Sequence, residues 1–318
     1  MVLEQIFRPR WVEKRPQSSF LLGVLFSLAG FISASAIFAN APGMIPVSAV
    51  FFTVILSVPG VNKLLDLEER TEAQGKKSFL KEHEAVIDLF VYFFLGIFCV
   101  FFVLSLVVPS RIFSEAQLYG SPVAESRPAG VPPPPGSSSA WSIIQNNLFV
   151  MAASFLLSFF YSSGALFLIV LNASVFASGF ARSISQGIPK GVLPFIGYVA
   201  CALGTRFLHT IPEVVSYILV AIAGGVLSKA FIREKWFSAR FYAVVKDAVL
   251  LFVIASVLVV AIGVAEVHVT LPLIVSNVCA STGALVGTLI FFGALVAFEL
   301  WRKEKAIFKK SSIKKTKK

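Results

Sequence analysis

Five ionisable side chains stand out because long apolar stretches surround them. His209 and Glu213 are four positions apart, Arg206 precedes them, and Glu266 and His268 form a second acid and histidine pair. An ionisable group at membrane depth is costly, so each one is a functional hypothesis by default. We predict that Arg206, His209, Glu213, Glu266 and His268 form a functional polar cluster.

Two imidazoles and two carboxylates are sufficient in kind for a zinc site, and such groups also carry ions through membranes. Their spacing contains no HExxH pattern, and the sequence does not say whether the two pairs meet. We therefore expect no bound metal or cofactor. The sequence also has no glycine-rich phosphate loop and no nucleophile elbow, so we expect no enzymatic activity.

The first pair also has a purely structural explanation. Thr210, Ile211, Pro212 and Glu213 match a capping box, with Thr210 as N-cap and Glu213 reaching back to a free backbone N–H. In that interpretation a tight outer turn separates two membrane spans, and Arg206 and His209 are interfacial partners of Glu213. Both interpretations stay open at this point.

The composition indicates that lipid is the solvent for these groups. Hydrophobic residues make up 57% of the chain and charged residues 14%, with a mean hydropathy of +0.83. A water-soluble domain needs far fewer apolar residues. We expect an all-α, polytopic helix bundle whose basic residues contact anionic lipid, with no nucleic-acid partner.

About 20 apolar residues are needed to cross the bilayer, and eight runs meet this length. The predicted spans are Ser19–Ala39, Met44–Val61, Ala85–Val108, Asn147–Leu171, Gly191–Leu208, Ile211–Phe231, Ala248–Val267 and Thr282–Leu300. Of the 28 Lys and Arg residues, 25 fall on one side of this arrangement, and positive segments stay in the cytoplasm. We expect a multi-pass protein of the plasma membrane with both termini in the cytoplasm.

The segments between the spans suggest four regions. Residues 1–61 form a basic N-terminal segment and a transmembrane hairpin, and 62–84 a charged cytoplasmic linker helix. Residues 85–281 form a five-helix core whose outer loop, 110–140, is rich in proline. Residues 282–318 form the last span and a basic tail. The cysteines Cys99, Cys201 and Cys279 show no metal-binding spacing and are interpreted as small core residues.

The ordered polar and glycine positions resemble the stage II sporulation protein M family of integral membrane proteins. The resemblance covers about residues 80 to 275 and includes His209, Glu213 and Glu266. The other family-like positions are Asn146, Asn147, Asn172, Gly224 and Gly225. Relatives usually have glycine directly after the histidine, where this chain has Thr210.

The resemblance implies a non-catalytic scaffold or assembly factor that binds membrane or envelope proteins, or that self-associates. A transporter or permease subunit that uses the polar cluster is the alternative, and an intramembrane metalloenzyme is the third hypothesis.

Overall fold

The computed structural model describes residues 17–72, 79–108, 140–161, 164–186, 192–275 and residue 279, and within these ranges the chain is helical without strands. The helices are α1 (Ser18–Ile37), α2 (Ile45–Glu72), α3 (Phe79–Val107), α4 (Ala140–Tyr161), α5 (Ala165–Gln186), α6 (Val192–Arg233), α7 (Ala239–Ala265) and α8 (Leu271–Val275). A 3₁₀ turn, Pro42–Met44, precedes α2, and a π-helical turn, Glu266–Thr270, joins α7 to α8.

Six of these helices are long and apolar enough to cross a membrane, which confirms a helical membrane protein by length and composition. Helix α7 shows why. Its buried side includes Val244, Ala248 and Leu251, whereas its exposed side carries Val253 and Val257. A helix that is apolar on its exposed side needs an apolar solvent.

Helices α1 and α2 form the predicted N-terminal hairpin, and α1 also packs closely on α3. A Cβ atom on Gly23 would strike the Phe93 carbonyl oxygen, and one on Gly96 would strike that of Phe20. Glycine at both positions therefore allows the two backbones to approach each other. The charged segment 62–84 is not one separate linker helix, because α2 continues to Glu72 and α3 begins at Phe79.

The predicted fourth span, Asn147–Leu171, is wrong because the chain divides there into α4 and α5. Gly164 lies in the turn, where an added Cβ would strike the Leu157 carbonyl oxygen. The close approach requires glycine and lets α5 leave α4. Helix α4 then packs on α6 and α7, whereas α5 packs mainly on α3.

The predicted fifth and sixth spans, Gly191–Leu208 and Ile211–Phe231, form one continuous helix, α6, of 42 residues. Thr210 is therefore not a helix N-cap. Pro212 lies inside the helix, where it donates no backbone hydrogen bond. Neighbouring helices allow such interruptions in membrane proteins, and the Pro212 carbonyl accepts a 2.9 Å hydrogen bond from the Ser216 hydroxyl.

Contacts between aromatic rings join α6 to α3 and α5. The Phe207 ring of α6 lies 5.4 Å from Phe98 of α3 and 6.5 Å from Phe180 of α5, measured between centroids. Phe102 extends the cluster, 5.3 Å from Phe180. The N-terminal basic segment, the proline-rich loop and the predicted last span with its tail lie outside the described residues.

Candidate functional site

Glu213 is the most deeply placed carboxyl group of the predicted cluster. Its side chain is 7% exposed, and its Oε1 atom accepts a 2.7 Å hydrogen bond from the Tyr217 hydroxyl. Residues four apart lie on one face of a helix, so the continuity of α6 brings these two side chains together. Tyr217 is itself 3% exposed. The carboxyl group is thus held inside the bundle by a partner on its own helix.

Glu266, the second acid of the predicted cluster, lies on an element next to α6. Helices α6 and α7 form an antiparallel hairpin through residues 234–238, and Glu266 begins the π-helical turn after α7. That turn contacts α6, the helix that carries Glu213. The two acids, far apart in sequence, therefore lie on adjacent elements of the bundle. Single π-helical turns occur frequently at functional sites.

Two further polar atoms border this region without a hydrogen-bond partner among the described residues. They are Nδ1 of His209 and Oγ1 of Thr270. Thr270 is 1% exposed and lies four positions after Glu266, in a turn that contacts α6. A buried polar atom that lacks a partner costs about 1 to 3 kcal/mol, so His209 and Thr270 are candidates to contact a bound polar group.

Carboxyl and hydroxyl oxygens are the chemistry that this site offers. Oxygen ligands suit protons and hard cations such as Na⁺, K⁺ or Mg²⁺ rather than soft metals. Two ionised carboxylates side by side repel each other strongly in an apolar interior. A proton or a cation that is shared by Glu213 and Glu266 would relieve this repulsion.

The remaining members of the predicted cluster take different places. Arg206 lies one turn before His209 and acts on it electrostatically. His268 is exposed, although it belongs to the same π-helical turn as Glu266. Within the described ranges, no three His, Cys, Asp or Glu side chains are grouped to hold a metal ion. The zinc hypothesis stays a prediction, and this part of the chain adds no support to it.

The family-like positions lie mainly in helix contacts. Asn147 is buried in α4. Asn146 is exposed, and its side-chain amide donates a 3.5 Å hydrogen bond to the side-chain oxygen of Asn147. A Cβ atom on Gly224 would lie 2.7 Å from the Phe155 carbonyl oxygen, so α4 and α6 are in close contact there. Gly225 is buried beside it. These positions bring the two helices together.

Asn172 is the exception among them. It lies in α5, and its Nδ2 atom is buried without a hydrogen-bond partner in the described part of the chain.

Sequence reasoning did not identify Tyr217, Thr270 or the pairing of two cysteines. Tyr217 had a usable signal, because it follows Glu213 by four positions in a helix-prone stretch. Thr270 had none, since a π-helical turn has no strong sequence pattern. Cys201 and Cys279 form a disulfide, which corrects their interpretation as separate core residues, while Cys99 is free and exposed.

No family model, no curated protein and no solved structure matches this chain.

Proposed function

We propose that this chain is a multi-pass membrane transporter or permease subunit in which Glu213 and Glu266 together bind a proton or a small cation. The observation that carries the proposal is the buried Glu213 carboxyl group, hydrogen-bonded by Tyr217, with a second acid, Glu266, on the π-helical turn that contacts α6. Removing a carboxyl group from water is costly, so an acidic residue inside a membrane helix is a candidate for a functional role.

The position of the pair along α6 adds support. The apolar part of this helix runs from Gly197 to Ile232, and Glu213 is 16 residues from its start and 19 from its end. At about 1.5 Å per residue, about 24 Å of apolar helix lies on one side and about 29 Å on the other. Because the hydrocarbon layer is only about 30 Å thick, this helix extends beyond it, and the carboxyl pair lies within the layer towards its outer boundary.

Proton flux into reconstituted liposomes tests the proposal. A potassium gradient with valinomycin would drive protons into vesicles that contain a trapped pH-sensitive dye. We expect flux above that of empty vesicles, and a loss of at least about tenfold in both Glu213→Gln and Glu266→Gln. Glu234→Gln, in the loop between α6 and α7, is the matched control and should leave the flux unchanged. Full flux in both cluster variants would contradict the assignment.

We also propose eight spans with both termini in the cytoplasm of a cell whose plasma membrane holds the protein. The division into α4 and α5 adds one crossing and the continuity of α6 removes one, so the number stays eight when 282–300 is included. In this arrangement the basic residues on the outer side are Arg111, Arg127, Arg182 and Lys190, with Arg206 near that end. The other 23 of the 28 stay inside, which still satisfies the positive-inside rule.

A scaffold for membrane or envelope proteins, or for further copies of the chain, is the second candidate function. Its support is the resemblance described above, together with the close α4 and α6 contact at Gly224, one of the family-like positions. Mild purification should then recover a stoichiometric partner, or a stable oligomer. A monomer without a partner in several mild detergents would count against it. Both candidate functions are non-catalytic.

A further inference from the structure

A disulfide joins α6 to the chain that follows α8. Cys201 and Cys279 are 78 residues apart in sequence, and their Cα atoms lie 5.6 Å apart. Cys201 is fully buried in the N-terminal half of α6, whereas Cys279 is partly exposed. The bond therefore closes a loop that contains the α6 and α7 hairpin, the π-helical turn and every member of the cluster after Cys201.

The other end of this hairpin carries a dense set of basic residues. They are Lys229, Arg233, Lys235, Arg240 and Lys246. Such a group stays on the cytoplasmic side of a membrane. Cys201 precedes Lys229 by 28 residues of continuous helix, or about 42 Å at about 1.5 Å per residue. The hydrocarbon layer is only about 30 Å thick, so Cys201 lies at or beyond its opposite boundary.

Disulfides persist where the surroundings are oxidising, outside the cytoplasm. The basic residues place Cys201 on the side of the membrane opposite the cytoplasm. Its disulfide is stable on that same side. Charge and cysteine chemistry are separate observations, and they agree.

We propose that Cys201 and Cys279 are a disulfide modification site on the extracytoplasmic face, oxidised by thiol–disulfide exchange with an extracytoplasmic dithiol oxidoreductase. One cysteine thiolate attacks the disulfide of the oxidant, and the second then attacks the mixed disulfide. The Cys201–Cys279 bond forms, both thiol protons are released to water, and the oxidant leaves as a dithiolate that takes up protons. Two electrons pass from the chain to the oxidant.

Both acids lie within the loop that the disulfide closes. Glu213 follows Cys201 by 12 residues, and Glu266 precedes Cys279 by 13. A loop closed by a disulfide has fewer unfolded conformations, which stabilises the folded state.

Thiol counting tests the bond. The protein would be denatured in detergent and treated with a maleimide polymer that adds a visible mass per free thiol. We expect one modified cysteine, Cys99, without reductant and three after reduction. Cys99→Ser is the control and should give none and two. Three modified thiols in the unreduced wild type, with acid quenching to prevent exchange, would overturn the proposal.

Labelling from one side tests the location. In Cys99→Ser/Cys201→Ser, Cys279 is the only cysteine, and a membrane-impermeant maleimide should label it in intact cells. Ser238→Cys in a cysteine-free chain, in the basic hairpin loop, should react only after permeabilisation. Labelling of Cys279 only after permeabilisation would overturn the assignment, and so would labelling of Ser238→Cys in intact cells. Thermal melting of Cys99→Ser/Cys201→Ser beside the wild type reports whether Cys201→Ser disturbs folding.

Neither readout uses ion flux. The disulfide can therefore fail while the transport proposal stands, and transport can fail while the disulfide stands.

Discussion

Burial of the Glu213 carboxyl group inside the helix bundle costs free energy, and an apolar side chain at this position would not carry that cost. A buried ionic group is often replaced by an apolar residue of similar volume at no cost, or with a gain of about 1 to 4 kcal/mol. We therefore expect Glu213→Met/Tyr217→Phe, which removes both hydrogen-bonding groups, to leave thermal stability unchanged or to raise it, while ion flux is lost. Melting followed by tryptophan fluorescence gives the first value, and liposome flux gives the second. A large loss of stability with normal flux would make Glu213 a structural residue.

Tyr217 should contribute through one hydrogen bond. Tyr217→Phe removes the hydroxyl that donates to Glu213, and such a bond contributes about 0.5 to 1.5 kcal/mol. We expect a lower unfolding temperature and reduced flux. Tyr242→Phe, on an exposed ring at the start of α7, is the matched control and should change neither. Equal effects of the two substitutions would remove Tyr217 from the site.

A hydrophobic carbodiimide offers a chemical test of the same pair. Such reagents dissolve in lipid and modify protonated carboxyl groups in apolar surroundings. We expect dicyclohexylcarbodiimide to modify Glu213 or Glu266 and to spare Glu234, as located by peptide mass spectrometry. Protection by Na⁺ but not by choline would indicate that a cation competes with the proton. Modification of Glu234 alone would contradict an apolar, protonated pair.

Both acids of the proposed site could be predicted from the sequence, but the residues around them could not. Glu213 and Glu266 could be identified because an acidic residue within a long apolar stretch of sequence is rare. Thr270 was not, because a threonine becomes notable only when its neighbours bury it. The exposure of His268 was not predictable either, since two positions along a helical turn reverse the direction of a side chain.

At the scale of the helix, Gly224 determines how closely α4 approaches α6. An added Cβ would lie 2.7 Å from a backbone carbonyl oxygen, which is too close for the contact to remain. We expect Gly224→Ala to destabilise the protein by about 1 to 3 kcal/mol, the usual cost of overpacking. Gly43→Ala is the control, because its Cβ would meet nothing within 4 Å. Equal melting temperatures for the two variants would contradict the close contact.

The continuity of α6 is the largest difference from the sequence-based expectation. Thr210 and Pro212 match the residue preferences at the start of a helix. Proline is also tolerated inside a membrane helix when neighbouring helices pack against it. Local pattern could not decide between a turn and a continuous helix, because packing against α4, α5 and α7 makes that choice. The N-terminal hairpin was predictable, since its turn contains proline and glycine between two apolar runs.

A distance across Pro212 tests this element. Spin labels at Val199→Cys and Leu227→Cys, with the native cysteines replaced by serine, are 28 residues apart. A continuous helix predicts about 42 Å between the two backbones at about 1.5 Å per residue. Two antiparallel spans that turn near Thr210 would bring them within about 15 Å. Electron–electron double resonance in lipid nanodiscs distinguishes the two arrangements.

At the scale of the whole molecule, charge and apolar surface together define the placement in the membrane. Cysteines introduced singly into a cysteine-free chain should reveal it. We expect Asn40→Cys, in the α1 and α2 turn, and Ser185→Cys, near the end of α5, to react with an impermeant maleimide from outside. Ser238→Cys should react only after permeabilisation. Outside labelling of Ser238→Cys would contradict the orientation, and inside-only labelling of Ser185→Cys would mean that α5 does not cross.

Glu213 and Glu266, 53 positions apart, are proposed to act as one ion site. The most direct measurement is proton flux in liposomes for wild type, Glu213→Gln, Glu266→Gln and the double variant. If the two acids share one ion, each single substitution abolishes the flux and the double variant is no worse than either. Flux that survives both single substitutions, or falls in independent steps that multiply in the double variant, would contradict a shared site.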